Sequence, residues 1–115
     1  MSAKKTKVER LRGVVITVSG EVSRVEIGNT LQALWDVVGG YVERVPLRDS
    51  ADLFVNEEGL LLSLPKNELA TTFAEGYQVH PHQIVIVGDA LVLGEVSPTG
   101  DSTDAPDWVY EYLVR

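Results

Sequence analysis

The sequence predicts one small α+β domain with a mixed or antiparallel sheet and two or three short helices. Three observations predict it. The chain has 115 residues, 44% of them hydrophobic and 23% charged, which is the composition of a single globular domain. Several stretches alternate apolar residues with period two between glycine turns. Others repeat them at i, i+3, i+4 and i+7, the stripe of an amphipathic helix. The expected organisation is a basic, flexible N-terminus over 1–12 and a core domain over 13–96. A polar loop and a C-terminal helix over 97–115 then pack on that core.

Val14, Ile16 and Val18 alternate up to the turn signal Ser19-Gly20, and Val22, Val25 and Ile27 follow. Residues 12–18 and 22–27 therefore read as a β-hairpin. Leu31, Leu34, Trp35 and Val38 form one helical stripe over 30–38, opened by Asn29 or Thr30 as a cap and closed by Gly39-Gly40. Tyr41 to Leu47 reads as a strand in which Pro46, lacking an N–H, marks a sheet edge or the strand's end. Leu53-Phe54-Val55 and Leu60-Leu61-Leu62 flank Asn56-Glu57-Glu58-Gly59, a pattern suited to a hairpin loop on a type I turn.

A second helix is expected from Asn67, with Leu69, Ala70 and Phe73 facing inward and Gly76 behind. Ile84-Val85-Ile86-Val87 is wholly apolar and β-branched, as a central strand buried on both faces would be. Gly88-Asp89 interrupts it as a turn or a bulge before Ala90-Leu91-Val92-Leu93. Residues 97–104 contain no apolar side chain and read as a mobile loop. Asp104 then serves as a cap and Pro106 sits in the first turn of a helix carrying Trp108, Val109, Tyr112 and Leu113.

The formal charge of −7 is unevenly spread. Lys4, Lys5, Lys7, Arg10 and Arg12 against Glu9 give residues 1–12 a balance of +4, leaving −11 for the rest. A body this acidic, with only Arg24, Arg44, Arg48, Lys66 and Arg115 as cations, lacks the positive face that a nucleic-acid groove requires. No apolar run reaches the ~20 residues of a membrane span. The lysines near the start precede no apolar signal core. A cytoplasmic location, in a host cell, is expected. The absence of cysteine excludes disulfides, thiol catalysis and thiolate metal sites.

No phosphate loop, dinucleotide fingerprint, H-E-x-x-H helix or nucleophile elbow occurs. His80 and His82, spaced i, i+2 around Pro81, could face one metal, but no third ligand stands nearby, so neither metal nor cofactor is expected. A carboxylate-dependent hydrolase requires Glu57, Glu68 or Asp89 to meet in one cleft. The candidate ligand-binding residues are Gly39, Gly40, Tyr41, Arg44, Arg48, Asn56 and Asn67. The glycines admit a close backbone approach, Tyr41 offers a stacking face, the asparagines pair donor with acceptor, and the arginines suit a phosphate. Each also has a purely structural explanation: a helix C-cap, a strand tyrosine, an Asx-turn and an N-cap.

Four ordered segments carry a resemblance. They are Leu31–Leu34 through Gly39-Gly40-Tyr41-Val42-Glu43; Val55–Leu60; Leu64-Pro65-Lys66-Asn67-Glu68-Leu69-Ala70-Thr71; and Ile86–Gly94. Together they resemble the DUF3846 family, small proteins of unknown function from bacteria, plasmids and bacteriophages, over about residues 12–94. The resemblance supplies no catalytic residues. It implies an accessory protein of a mobile element, encoded by a phage and acting in counter-defence. The leading expectation is a non-enzymatic protein that sequesters a small nucleotide-like ligand. The alternative is an acidic, DNA-mimic-like inhibitor of a host nuclease or defence enzyme. A homodimer or higher homo-oligomer is also expected, because edge strands near Pro46 and the Leu60–Leu62 run leave surface for a partner copy.

Overall fold

The computed structural model describes residues 10–115. Eight elements follow in order: β1 (Arg10–Ile16), β2 (Val22–Gly28), α1 (Leu31–Val38), β3 (Val42–Leu47), β4 (Ala51–Asn56), α2 (Glu68–Tyr77), β5 (Ala90–Gly94) and α3 (Asp107–Leu113). The strands form one sheet of order β2-β1-β5-β4-β3 in which every neighbouring pair is antiparallel. The fold is α+β, as the sequence predicts. β1 already begins at Arg10, so only residues 1–9 of the expected N-terminal extension lie outside the described residues.

The sheet is covered on both faces. Val14, Ile16, Leu53, Val55, Val92 and Val45 meet Ala70, Phe73 and Ala74 of α2 and Val109 and Leu113 of α3. On the opposite face Leu11, Phe54, Leu91 and Leu93 meet Leu34 of α1. The period-two alternation sorts each strand's side chains between these two cores. Thr30 caps α1, its hydroxyl accepting from the Ala33 N–H. Gly39, at φ 83°, closes the helix by donating to the Trp35 carbonyl.

Three expectations need correction. The central strand is β5, buried at every residue, and not Ile84–Val87. That run lies outside the sheet as an extended connector, with Ile86 buried, Ile84 half-buried and Val85 48% exposed. Its backbone is taken by α2 and the segment before it: Asn67 N–H donates to the Ile86 carbonyl, and Ile86 N–H donates to Thr71 Oγ1. Gly88, at φ 79°, then turns the chain, so pairing with β1 begins only at Ala90.

Leu60–Leu62 is likewise no strand. The Glu58 N–H donates to Asn56 Oδ1 and the Leu62 N–H to the Glu58 carbonyl, so the chain coils through residues 57–63. The partner of β4 is instead β3, which makes Pro46 part of an edge strand. Asp104 does not cap α3, whose N-cap is Pro106 with no side-chain bond. Its carboxylate accepts from the Arg12 N–H and fastens the tail to β1.

Candidate functional site

The site begins with the direction of backbone groups on β3. In an antiparallel pair, successive residues turn their N–H and C=O to opposite edges. The Glu57 N–H donates to the Tyr41 carbonyl, so Tyr41, Glu43, Val45 and Leu47 face β4. Val42, Arg44 and Pro46 therefore present their backbone groups outward. Just after α2 the chain uses part of that edge: Arg48 N–H donates to the Tyr77 carbonyl over 2.7 Å, and Val79 N–H donates to the Pro46 carbonyl over 3.0 Å. At His80-Pro81 the connector leaves the strand. Among the described residues, no backbone group pairs with the outward N–H and C=O of Val42 and Arg44.

A groove of about 520 Å³ opens beside Arg44, with Val42 lying just past its end. Its walls are Glu43 to Pro46 of β3, Val55 and Asn56 of β4 with Glu57 after it, Leu60 and Leu61 of the coiled turn, and Gln78, His80, His82 and 84–87 of the connector. Leu60 and Leu61 are 74% and 84% exposed, a high value for two adjacent leucines. At the base Gln78 is buried, its Nε2 donating to the His82 carbonyl over 2.7 Å. Its Oε1 has no hydrogen-bond partner. His80 and His82 are exposed, and the His82 Nδ1 lies 2.7 Å from the His80 carbonyl. Neither imidazole is joined by a metal-binding cluster, since the described residues bring no three His, Asp or Glu together.

The seven residues singled out by the sequence do not share one cavity. Arg44 and Asn56 line the groove, whereas Gly39, Gly40 and Tyr41 line a separate depression with Trp35 and Glu58. Tyr41 is 58% exposed and meets the Trp35 ring edge-on at 4.9 Å. Gly40 packs closely, since a Cβ there would stand 3.0 Å from Asn56 Nδ2 and would push that amide by a few tenths of an ångström. Asn56 is buried and engaged at both ends, donating to the Val38 carbonyl and accepting from the Glu58 N–H. Asn67 is wholly buried, donates to the carbonyls of Ile16 and Gly88, and caps α2 by accepting from the Ala70 N–H. Arg48 binds the Gly76 carbonyl and lies 5.2 Å from the Tyr77 ring centroid.

Arg44, Arg48 and Lys66 stay apart from one another, whereas Arg12 and Arg24 line one pocket of about 570 Å³ together with Glu26, Asp104, Asp107 and Tyr110. The Arg44 guanidinium bonds both oxygens of the buried Asp52 carboxylate at 3.0–3.1 Å. Arg24 lies over the Tyr110 ring, and Lys66 pairs with Glu68 at 3.4 Å. The three carboxylates a hydrolase would gather are equally dispersed: Glu57 lines the groove, Glu68 faces Lys66, and Asp89 accepts from the Val18 N–H. Sequence reasoning missed Gln78, Leu60 and Leu61 as site residues. The available signal was a leucine triplet whose assigned strand had no hydrophobic alternation.

Residues 11–115 match the family described as domain of unknown function DUF3846. The chain belongs to that family. The match reaches Arg115, so the polar loop and α3, which the resemblance over 12–94 leaves out, are part of the family domain. Their docking on β1 and the α2 side of the core agrees with that extent. No curated protein and no solved structure matches the chain. No helix among the described residues is long and apolar enough to cross a membrane.

Proposed function

We propose that this protein is a non-enzymatic binding module whose partner is another protein, and that the groove beside β3 is its docking site. The observation that supports this reading is the open half of an edge strand facing a groove rimmed by exposed Leu60 and Leu61. Exposed apolar patches with polar rims are typical of interaction sites, and unpaired strand edges recruit other chains. The rim carries Glu43 and Glu57, while the Arg44 charge is already matched by Asp52, so the surface suits a partner with basic residues. The mobile-element setting implied by the family resemblance makes a host defence enzyme the partner class.

A second reading, sequestration of a small nucleotide-like ligand, is favoured by the volume alone, since small-molecule pockets span roughly 300–1,000 Å³. The groove lacks a cation cluster for phosphates, because among the described residues Arg44 is its one arginine or lysine and is already bonded to Asp52. The test is reconstitution with a purified partner identified from host cells. Leu61→Asp should weaken the complex at least about tenfold, roughly 1.4 kcal/mol, with unfolding unchanged. A complex indifferent to Leu61→Asp removes the groove from the interface. Native mass spectrometry showing a stoichiometric small molecule instead moves the case to sequestration.

A further inference from the structure

We infer that the partner docks by strand addition: an extended peptide segment with apolar residues alternating with lysine or arginine pairs with the open edge at Val42 and Arg44. This inference rests on the protein-binding reading above and specifies its mode. Three observations carry it. The outward N–H and C=O of Val42 and Arg44 have no backbone partner among the described residues, whereas the neighbouring outward groups of Pro46 and Arg48 are already paired by residues 77–79. The protein's own chain thus starts a sixth strand and abandons it at His80, leaving a slot in line with it. The groove-lined part of that edge, from Glu43 to Val45, spans about three residues, roughly 10 Å at about 3.3 Å per residue, and the open edge continues to Val42 just past the groove.

The side walls decide the peptide's chemistry. A bound strand sends alternate side chains to opposite faces. One set meets Leu60, Leu61 and Val85, which calls for apolar residues. The acids Glu43 and Glu57 edge the same groove, and Asp52 already neutralises Arg44. Lysine or arginine in the alternate or flanking positions complements that charge.

A second copy of the chain is the other natural occupant of a strand edge. Two-fold pairing through the outward residues can centre on Val42, Glu43 or Arg44. The last two registers set like charges directly opposite, which is destabilising in a sheet. A pair centred on Val42 sets Glu43 opposite Tyr41 and escapes that penalty, and light scattering distinguishes such a dimer from peptide docking.

The test uses the full chain and a capped hexapeptide alternating lysine and valine, followed by fluorescence anisotropy. Two alternate amides of a bound strand donate to the Val42 and Arg44 carbonyls, and the intervening set points away. N-methylating one alternate set should weaken binding at least about tenfold, while methylating the other set changes it by less than about threefold. Replacing lysine by glutamate should also abolish binding. On the protein, Arg44→Pro removes an outward N–H and should abolish binding, with circular dichroism confirming the fold. The peptide arms need no altered protein, so a misfolded variant cannot decide the outcome. Equal effects of the two methylated sets, or no binding of the unmodified peptide, overturn strand addition. The docking reading then still stands or falls by the Leu61→Asp result. Light scattering that shows a dimer dissociated by Arg44→Pro hands the edge to a second copy.

Discussion

Two buried primary amides bracket α2, and they are treated in opposite ways. Asn67, at the N-cap, has every part of its amide matched: Nδ2 donates to the Ile16 and Gly88 carbonyls, and Oδ1 accepts from the Ala70 N–H. Gln78, at the C-cap, donates to the His82 carbonyl but leaves Oε1 buried without a partner. The chemical group is the same. What differs is the number of elements that converge on it. Asn67 sits where β1, the Gly88 turn and α2 meet, so one side chain ties three segments together. Gln78 sits where the connector peels away from β3, so its surroundings are half built, and the groove opens there.

The largest effect should come from Asn67→Ala. It strips the cap and removes a hydrogen bond from each of two buried carbonyl acceptors, so stability should drop by about 3 kcal/mol in urea unfolding. A loss under about 1 kcal/mol would falsify the hub assigned to Asn67. Asn56→Ala should come next, at about 2 kcal/mol, because the Val38 carbonyl and the Glu58 N–H lose their shared partner. Gly40→Ala presses a methyl group to 3.0 Å from that same amide, and about 1 kcal/mol is expected from thermal unfolding. The smallest effect belongs to Gln78→Met, which removes the orphaned oxygen along with one hydrogen bond and should stay within about 0.5 kcal/mol of the wild type. If Gln78→Met costs as much as Asn67→Ala, the contrast between the amides disappears.

Much of the fold was legible. Residues that alternate with period two became β1, β2 and β3, and the stripes through Leu34 and Val38 and through Phe73 became α1 and α2. Asn67 as an N-cap and Pro46 on an edge follow from local chemistry, a side-chain acceptor and a missing donor. The candidate site was much less legible. Of seven proposed residues only Arg44 and Asn56 line the groove, because the glycines, Arg48 and Asn67 are occupied by contacts with residues distant in sequence. The leucines of the groove were hidden by a hairpin assignment that the Asn56 side chain prevents.

Local pattern alone determined the hairpin of β1 and β2, the helices α1 and α2 with the caps Gly39 and Asn67, and the single-domain size, since these depend on neighbours a few residues apart. Tertiary structure decided which apolar run became the central strand. Ile84–Val87 and Ala90–Leu93 are equally suited to a sheet, but only one segment fits between β1 and β4. Asn67 draws the first run to α2, and Gly88 turns the chain so that the second enters the slot. The displaced run became the wall of a groove. A choice between two similar strands rests on partners as distant as Asn67 and Ile16, 51 residues apart, and Val14 and Val92, which pair across the sheet, and no short window along the chain contains both members.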